Sequence, residues 1–77
     1  MSDDYEFMGR ARQQFYRDVQ AGGERAEKAI AVVRAYLAKH RQNMIDADAR
    51  GDNRMAGLWA SWVTFWHSRL YENGLTP

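Results

Sequence analysis

LWASWVTFW, residues 58–66, places three tryptophans and a phenylalanine within nine residues of a 77-residue chain. Its spacing decides the fold. At about 100° per residue, Leu58, Trp59, Trp62, Val63, Phe65, Trp66 and Leu70, with Met55, fall in one arc of roughly 160°. That is the pattern of an amphipathic helix; a half-buried strand would alternate instead. Only Arg69 interrupts the arc. The opposite side carries Gly57, Ala60, Ser61, Thr64 and Ser68, all small and uncharged, and no charged residue lies between Arg54 and Arg69. The outer face of a surface helix normally carries charge. The pattern therefore predicts a helix over about 53–72 that is contacted on two sides. Its aromatic arc meets the rest of the chain, and its small-residue side meets another chain. Trp62, in the middle of the arc, is expected to be a large buried aromatic. Three tryptophans exceed what so small a core encloses easily, so one of them is expected to be partly exposed.

Just before this helix, Gly51 with Asp52 and Asn53 forms one of two strong interior breaks. The other is Gly22-Gly23, and the single proline is the last residue. Between the breaks, Ala26, Ile30, Val33, Leu37, His40, Met44 and Ala47 step by four and three in alternation. This is the seam of a coiled-coil-like helix of about three and a half heptads, placed over 24–49. Small residues at the seam's ends let neighbouring helices approach, and Glu24 and Glu27 sit at the end of the helix that favours acids.

The first segment, about 3–20, has Ser2 as a candidate N-cap and Asp3, Asp4 and Glu6 in the first turn. Tyr5, Met8, Phe15 and Val19 share one face if Arg12 fills the gap, with Arg10, Gln13, Gln14 and Arg17 opposite. Gly9 weakens this helix by about 1 kcal/mol relative to alanine. The Gly-Gly connection is short, so helices one and two should be antiparallel neighbours. The expected fold is all-α: a three-helix antiparallel bundle, or a helical hairpin plus a third helix, completed by oligomerisation.

Composition supports the last clause. A chain this short buries only about 60–65% of its unfolded surface, so its own core gives a few kcal/mol. With no cysteine, neither disulfides nor thiolate zinc sites can add to that. The 11 basic against 10 acidic residues leave a net charge of +1, which predicts no strong nonspecific pull toward nucleic acid or anionic lipid. The acidic start MSDDYEF does not read as a secretory signal. The uncharged stretch before Arg69 is far short of the ~20 residues that span a bilayer. A cytoplasmic location is expected. Nine arginines against two lysines, with eleven alanines, are associated with GC-rich bacterial or phage genomes.

Motifs that carry chemistry are weak. DADARGDN, 46–53, begins like a calcium-binding EF-hand loop, but Arg50 stands at the fifth position and Gly57 at the twelfth, where a bidentate Glu is needed. A helix end, with Gly51 as C-cap and Asp52 or Asn53 capping the next helix, explains the residues better. The Arg50-Gly51-Asp52 tripeptide is read as chance. Neither His40 nor His67 has a partner at metal-ligand spacing. His40, on the seam, reads as a hydrogen-bonded buried histidine, with a pH-sensitive or register-setting role as the alternative. Adjacent His67 and Ser68 do not share a helix face, so they make no catalytic pair. No catalytic residues, metal or cofactor are expected.

The basic residues Lys28, Arg34, Lys39 and Arg41 accumulate in an acid-free stretch, but Arg34 and Arg41 share one flank and the lysines the other. Arg10 and Arg17 form a second pair. A nucleic-acid binder would show a concentrated basic face. The preferred reading is a non-enzymatic protein–protein interaction module, homo-oligomeric with a dimer favoured, and of the kind phages and mobile elements use to modulate or inhibit host proteins. Its interface would be Leu58, Trp59, Trp62, Phe65 and Trp66 with Gly57, Ser61 and Thr64. Trp and Tyr dominate binding energy at such surfaces. One alternative is a small nucleic-acid-associated regulator using Arg10, Arg17, Arg34 and Arg41. Another is an oligomer that holds a small anionic ligand in a cleft lined by arginines and tyrosines such as Tyr36. A membrane-surface helix would pair its tryptophans with a basic face, which is absent here.

Overall fold

A computed structural model describes the backbone of residues 3–77 and the side chains of residues 7–77. The expected cap at Ser2, and the side-chain expectations for Asp3, Asp4, Tyr5 and Glu6, lie outside the described residues. The fold is all-α. Helix α1 spans Asp3–Ala21, α2 spans Gly23–Ala49 and α3 spans Asn53–Glu72. The first two helices meet more closely than the sequence suggests, with Gly22 alone between them.

One residue suffices because Gly22 adopts φ 70° and ψ −174°, a conformation open essentially only to glycine. Its N–H donates to the Val19 carbonyl at 3.1 Å, closing α1, and its own carbonyl accepts from Ala26 N–H at 3.2 Å, opening α2. The second turn is as compact. Gly51, at φ 75°, donates to the Asp48 carbonyl at 3.0 Å, and Asp52 N–H donates to the Ala47 carbonyl at 2.9 Å. This is a Schellman ending. The Asp52 carboxylate then accepts from Met55 N–H at 3.2 Å and caps α3. The sequence reading of this turn as a helix end is the observed one. At the far end of α3, Leu75 N–H donates to the Leu70 carbonyl at 2.9 Å, and the Leu75 side chain folds back onto the core.

Helix α2 is the centre, packing against α1 on one side and α3 on the other. All seven seam residues point inward: Ala26, Val33, Leu37 and Ala47 are buried, and Ile30, His40 and Met44 are half-buried. The core is Phe15 of α1, Val33 and Leu37 of α2, and Trp66 and Leu70 of α3. On α1 the gap in the expected face is filled by half-buried Ala11, while Arg12 is exposed. Arg12 uses its position differently, donating Nε and Nη2 to the Glu72 carboxylate at 3.2 and 3.1 Å.

The tryptophans divide unequally. Trp66 is 7% exposed, whereas Trp59 and Trp62 are half-buried. The expectation that Trp62 is a large buried core aromatic is therefore corrected. The centre of α3's arc lies one turn further along, at Trp66 and Leu70, where α1 and α2 both reach it.

Contacts along the chain fix the helix directions. Phe7 near the start of α1 meets Trp62, and Arg12 meets Glu72, so α1 and α3 run parallel with α2 antiparallel between them. Helix α1 has 19 residues against 27 in α2, a shortfall of about 12 Å at the rise of an α-helix. Among the described residues, the last turns of α2 therefore extend past α1 and pack against α3. The molecule is elongated, with principal extents of 42 × 28 × 16 Å.

Candidate functional site

The most concentrated chemistry on the molecule is a set of aromatic rings where α2 meets α3. Helical spacing supplies the rows. Tyr36 and His40, four apart on α2, stack at 6.0 Å with planes 9° apart. On α3, Trp62 stacks on Trp66 at 6.3 Å, and Phe65 stands edge-on to both, at 5.6 Å from Trp62 and 4.9 Å from Trp66. The rows are joined by His40 on Trp59 at 5.2 Å and Tyr36 against Trp66 at 5.7 Å. Phe7 of α1 closes the group, edge-on to Trp62 at 5.9 Å. The Arg69 guanidinium sits 4.9 Å over the Phe65 ring, a cation–π contact at the rim.

His40 lies in the middle. Besides Tyr36 and Trp59 it faces Trp62 at 5.9 Å, and its Nδ1 is buried without a hydrogen-bond partner. Burial among these rings pushes its pKa below the ordinary histidine value, and the neighbouring Lys39 charge pushes the same way. The hydrogen-bonded histidine expected from sequence is thus not what the ring does at Nδ1; stacking holds it instead. The indole N–H of Trp66 is likewise buried and without a partner.

Two concavities open onto these rings. A recess of about 250 Å³ is lined by Phe7, Tyr36, His40, Trp59, Trp62 and Trp66. A groove of about 470 Å³ runs between α1 and α2, from Asp18 and Arg25 at one end to Phe7 and Tyr36 at the other, with Phe15, Val33 and Trp66 lining it between. The two share Phe7, Tyr36 and Trp66, and so form one continuous apolar surface.

The other face of the α2–α3 hairpin is different. Gly57, Ser61 and Thr64 are exposed there, with Ala60 half-buried. Ser61 Oγ donates to the Gly57 carbonyl at 3.1 Å. A methyl group at Gly57 would meet nothing within 4 Å. Leu58, 44% exposed, and Ile45, 51% exposed, flank this strip. Two shallow depressions meet at Gly57, one reaching Ile45 and Ala60, the other Leu58 and Ser61.

The residues expected at an interface are therefore not on one surface. Leu58, Gly57, Ser61 and Thr64 lie outward on α3. Trp59, Trp62 and Phe65 are half-buried in the ring cluster, and Trp66 is in the core. The four arginines are also distributed. Arg34 donates both Nε and Nη2 to the Thr76 carbonyl, at 3.2 and 2.9 Å, and so ties the C-terminal segment to α2. Arg10 and Arg17 are exposed on α1, and Arg41 on α2. Arg17 shares a polar depression with Arg12, Tyr16 and Glu72. There Glu72 is paired by Arg12 at 3.1 Å and by Arg69 at 3.0 Å.

Phe7 and Val32, 53% and 42% exposed, were not among the residues the sequence pointed to. Their signal was available: both are large apolar residues left over once the buried faces of α1 and α2 are assigned. Val32 and Tyr36 are four apart on α2, which places them side by side.

Comparison with family profiles, with curated proteins and with solved structures finds no match to this chain.

Among the described residues, no helix is long and apolar enough to cross a membrane, and no group of three or more His, Asp or Glu is placed to hold a metal ion. What the surface offers chemically is apolar area, ring faces and scattered guanidinium groups.

Proposed function

We propose that this chain is a non-enzymatic helical interaction module that docks on another protein through the outer side of the α2–α3 hairpin. The observation that carries this reading is the exposed small-residue strip of α3 from Gly57 to Thr64, with Leu58 and Ile45 on its flanks and Asp48, Asp52 and Arg54 at the Gly57 end. A glycine inside a helix costs about 1 kcal/mol relative to alanine, and no contact within the chain requires one at this position. Close approach by a partner backbone gives it a purpose. Exposed apolar side chains around a flat small-residue strip suit a helix or sheet surface packed on top.

The setting that fits is a cytoplasmic modulator or inhibitor of a host protein, of the short kind that phages and mobile elements carry. Homo-oligomerisation belongs to the same reading, because a core of five large buried side chains is small for a chain without disulfides.

The test is affinity capture from a lysate of the source organism with native, Leu58→Glu and Val32→Glu baits. The reading requires one protein that the native and Val32→Glu baits retain and the Leu58→Glu bait loses. Retention that persists in Leu58→Glu, or consists of nucleic acid released steeply by salt, would contradict it.

A further inference from the structure

The docking strip leaves the ring recess between α2 and α3 unused, and the lining of that recess is narrow in its chemistry. Phe, Tyr and Trp make up 13% of the chain, yet all six side chains around the recess of about 250 Å³ are rings: Phe7, Tyr36, Trp59, Trp62, Trp66 and the imidazole of His40. Every tryptophan of the chain is among them. We infer that this recess is an aromatic cage for a trimethylammonium group, carried by a small quaternary amine or by a methylated lysine side chain.

The first argument is geometry. The rings approach from several angles rather than in one parallel stack. Phe7 stands at 73° to Trp62, His40 at 48° to Trp62 and Tyr36 at 35° to Trp66. Walls set at different angles surround a rounded group in a way that a flat stack does not. The rings are also within reach of a ligand. Phe7 is 53% and Tyr36 46% exposed, His40, Trp59 and Trp62 are half-buried, and buried Trp66 forms the back. At about 250 Å³ the recess is smaller than the ~300–1,000 Å³ of sites for drug-sized ligands, which suits a compact group.

The second argument is the sign of the ligand's charge. The face of an aromatic ring carries the negative part of its quadrupole and attracts cations, tryptophan most strongly. The cluster already holds one cation within the chain. The Arg69 guanidinium lies 4.9 Å over Phe65, a ring that is edge-on to both Trp62 and Trp66. Burial holds His40 below its ordinary pKa, so the imidazole adds no charge to the recess at neutral pH. The Lys39 charge acts on this imidazole, but Lys39 is exposed and screened by solvent.

The third argument is the lack of acceptors, which separates one kind of cation from another. Among the described residues no Asp or Glu lines the recess, and His40 Nδ1 is buried out of a ligand's reach. A primary ammonium or a guanidinium placed here would leave its N–H donors without partners, a costly loss of the hydrogen bonds they make to water. A quaternary nitrogen has no N–H to satisfy. Its charge is spread over methyl groups that pack on ring faces as hydrocarbon does. The lining thus favours a cation and, among cations, the one without donors.

The test follows the N-methyl proton resonance of choline as native protein is added. Ring faces shield protons held above them, so binding in the recess moves that resonance upfield. Choline should bind about tenfold more tightly than its neutral isostere with carbon in place of the nitrogen. Trp59→Leu and Tyr36→Leu keep apolar bulk and each remove a ring face. Each should weaken choline binding with helical circular dichroism retained. An N-acetylated trimethyllysine amide distinguishes the sources: binding tighter than choline assigns the cage to a methylated lysine, and weaker binding to a small amine. Equal binding of choline and its carbon isostere would make the recess a plain apolar pocket and overturn the inference. So would an unmoved resonance at millimolar protein and ligand, or a shift that persists in both variants. The capture experiment reads a different surface, so either result stands without the other.

Discussion

His40 of α2 stacks on Trp59 of α3, ring centroids 5.2 Å apart and planes 27° apart, with Tyr36 stacked on the same histidine at 6.0 Å. A titratable ring is thus part of the aromatic stacking that joins the two helices. The consequence is a pH dependence with a definite sign. The folded state holds His40 below its ordinary pKa, chiefly by burial. As pH falls through the ordinary histidine range near 6.5, the unfolded chain takes up a proton that the folded chain resists. Stability contributed by the neutral ring is therefore complete above that range and declines below it, until the folded pKa is reached. From its own helix the Lys39 charge acts on this ring, and α3 presents no charged residue between Arg54 and Arg69. Denaturant melts at pH 7.5 and 5.5 should show the loss in the native chain and not in His40→Phe, which keeps an aromatic ring there.

Asp18 gives a second, separate window. Its hydrogen bond from Arg25 holds the carboxyl below the ordinary carboxylate value. A depressed carboxylate stabilises the fold above its unfolded pKa and loses that contribution as pH falls through the folded one. The effect belongs below about pH 4, well clear of the His40 window. Asp18 is half-buried but its partner Arg25 is exposed and the pair is open to solvent, so Asp18→Asn should change stability little at neutral pH and flatten only the acid end of the curve. A loss at pH 7 as large as that of a core substitution would contradict this.

Tryptophan truncations should rank by burial. Trp66→Ala is expected to cost about 3–5 kcal/mol, enough to unfold much of so small a domain. Trp62→Ala should cost clearly less, because that ring is only half-buried and part of it already faces water. Chemical denaturation of the two variants checks the order. Equal losses, or a larger one at Trp62, would mean that α3 is rotated from the described orientation.

The two unusual glycines should respond in opposite ways. Gly22→Ala forces a side chain into a left-handed, extended conformation, and a cost of about 1–3 kcal/mol is expected. Gly57→Ala meets open space in a regular helix, so it should stabilise the isolated fold by about 0.5–1 kcal/mol. If the strip is a docking surface, the same change weakens partner capture while raising the melting temperature. Stabilisation with unchanged capture would show that the glycine serves no partner.

Much of the fold was legible in the sequence because local and global signals agree. The seam from Ala26 to Ala47 is inward at every position, and Gly51 with Asp52 makes both the C-cap and the N-cap that their types suggest. Reading failed where a position's neighbours come from a different helix. Arg12 left the α1 face because Glu72, sixty residues away, offers it a bidentate partner, and Ala11 took the core place. Trp66 rather than Trp62 became the buried ring because it belongs to the core with Phe15, Val33 and Leu37, whereas the α1 ring beside Trp62 is the exposed Phe7. The site was less legible still. The outward strip on α3 follows from periodicity, but the groove depends on Phe7, Val32 and Tyr36 meeting across two helices. Periodicity within either helix marks them only as leftovers.

The most direct test of the docking strip is capture from a lysate of the source organism on native and Leu58→Glu baits matched for helical circular dichroism. The expected result is one protein retained by the native bait and lost from Leu58→Glu. A protein retained equally by both baits would contradict the proposed docking surface.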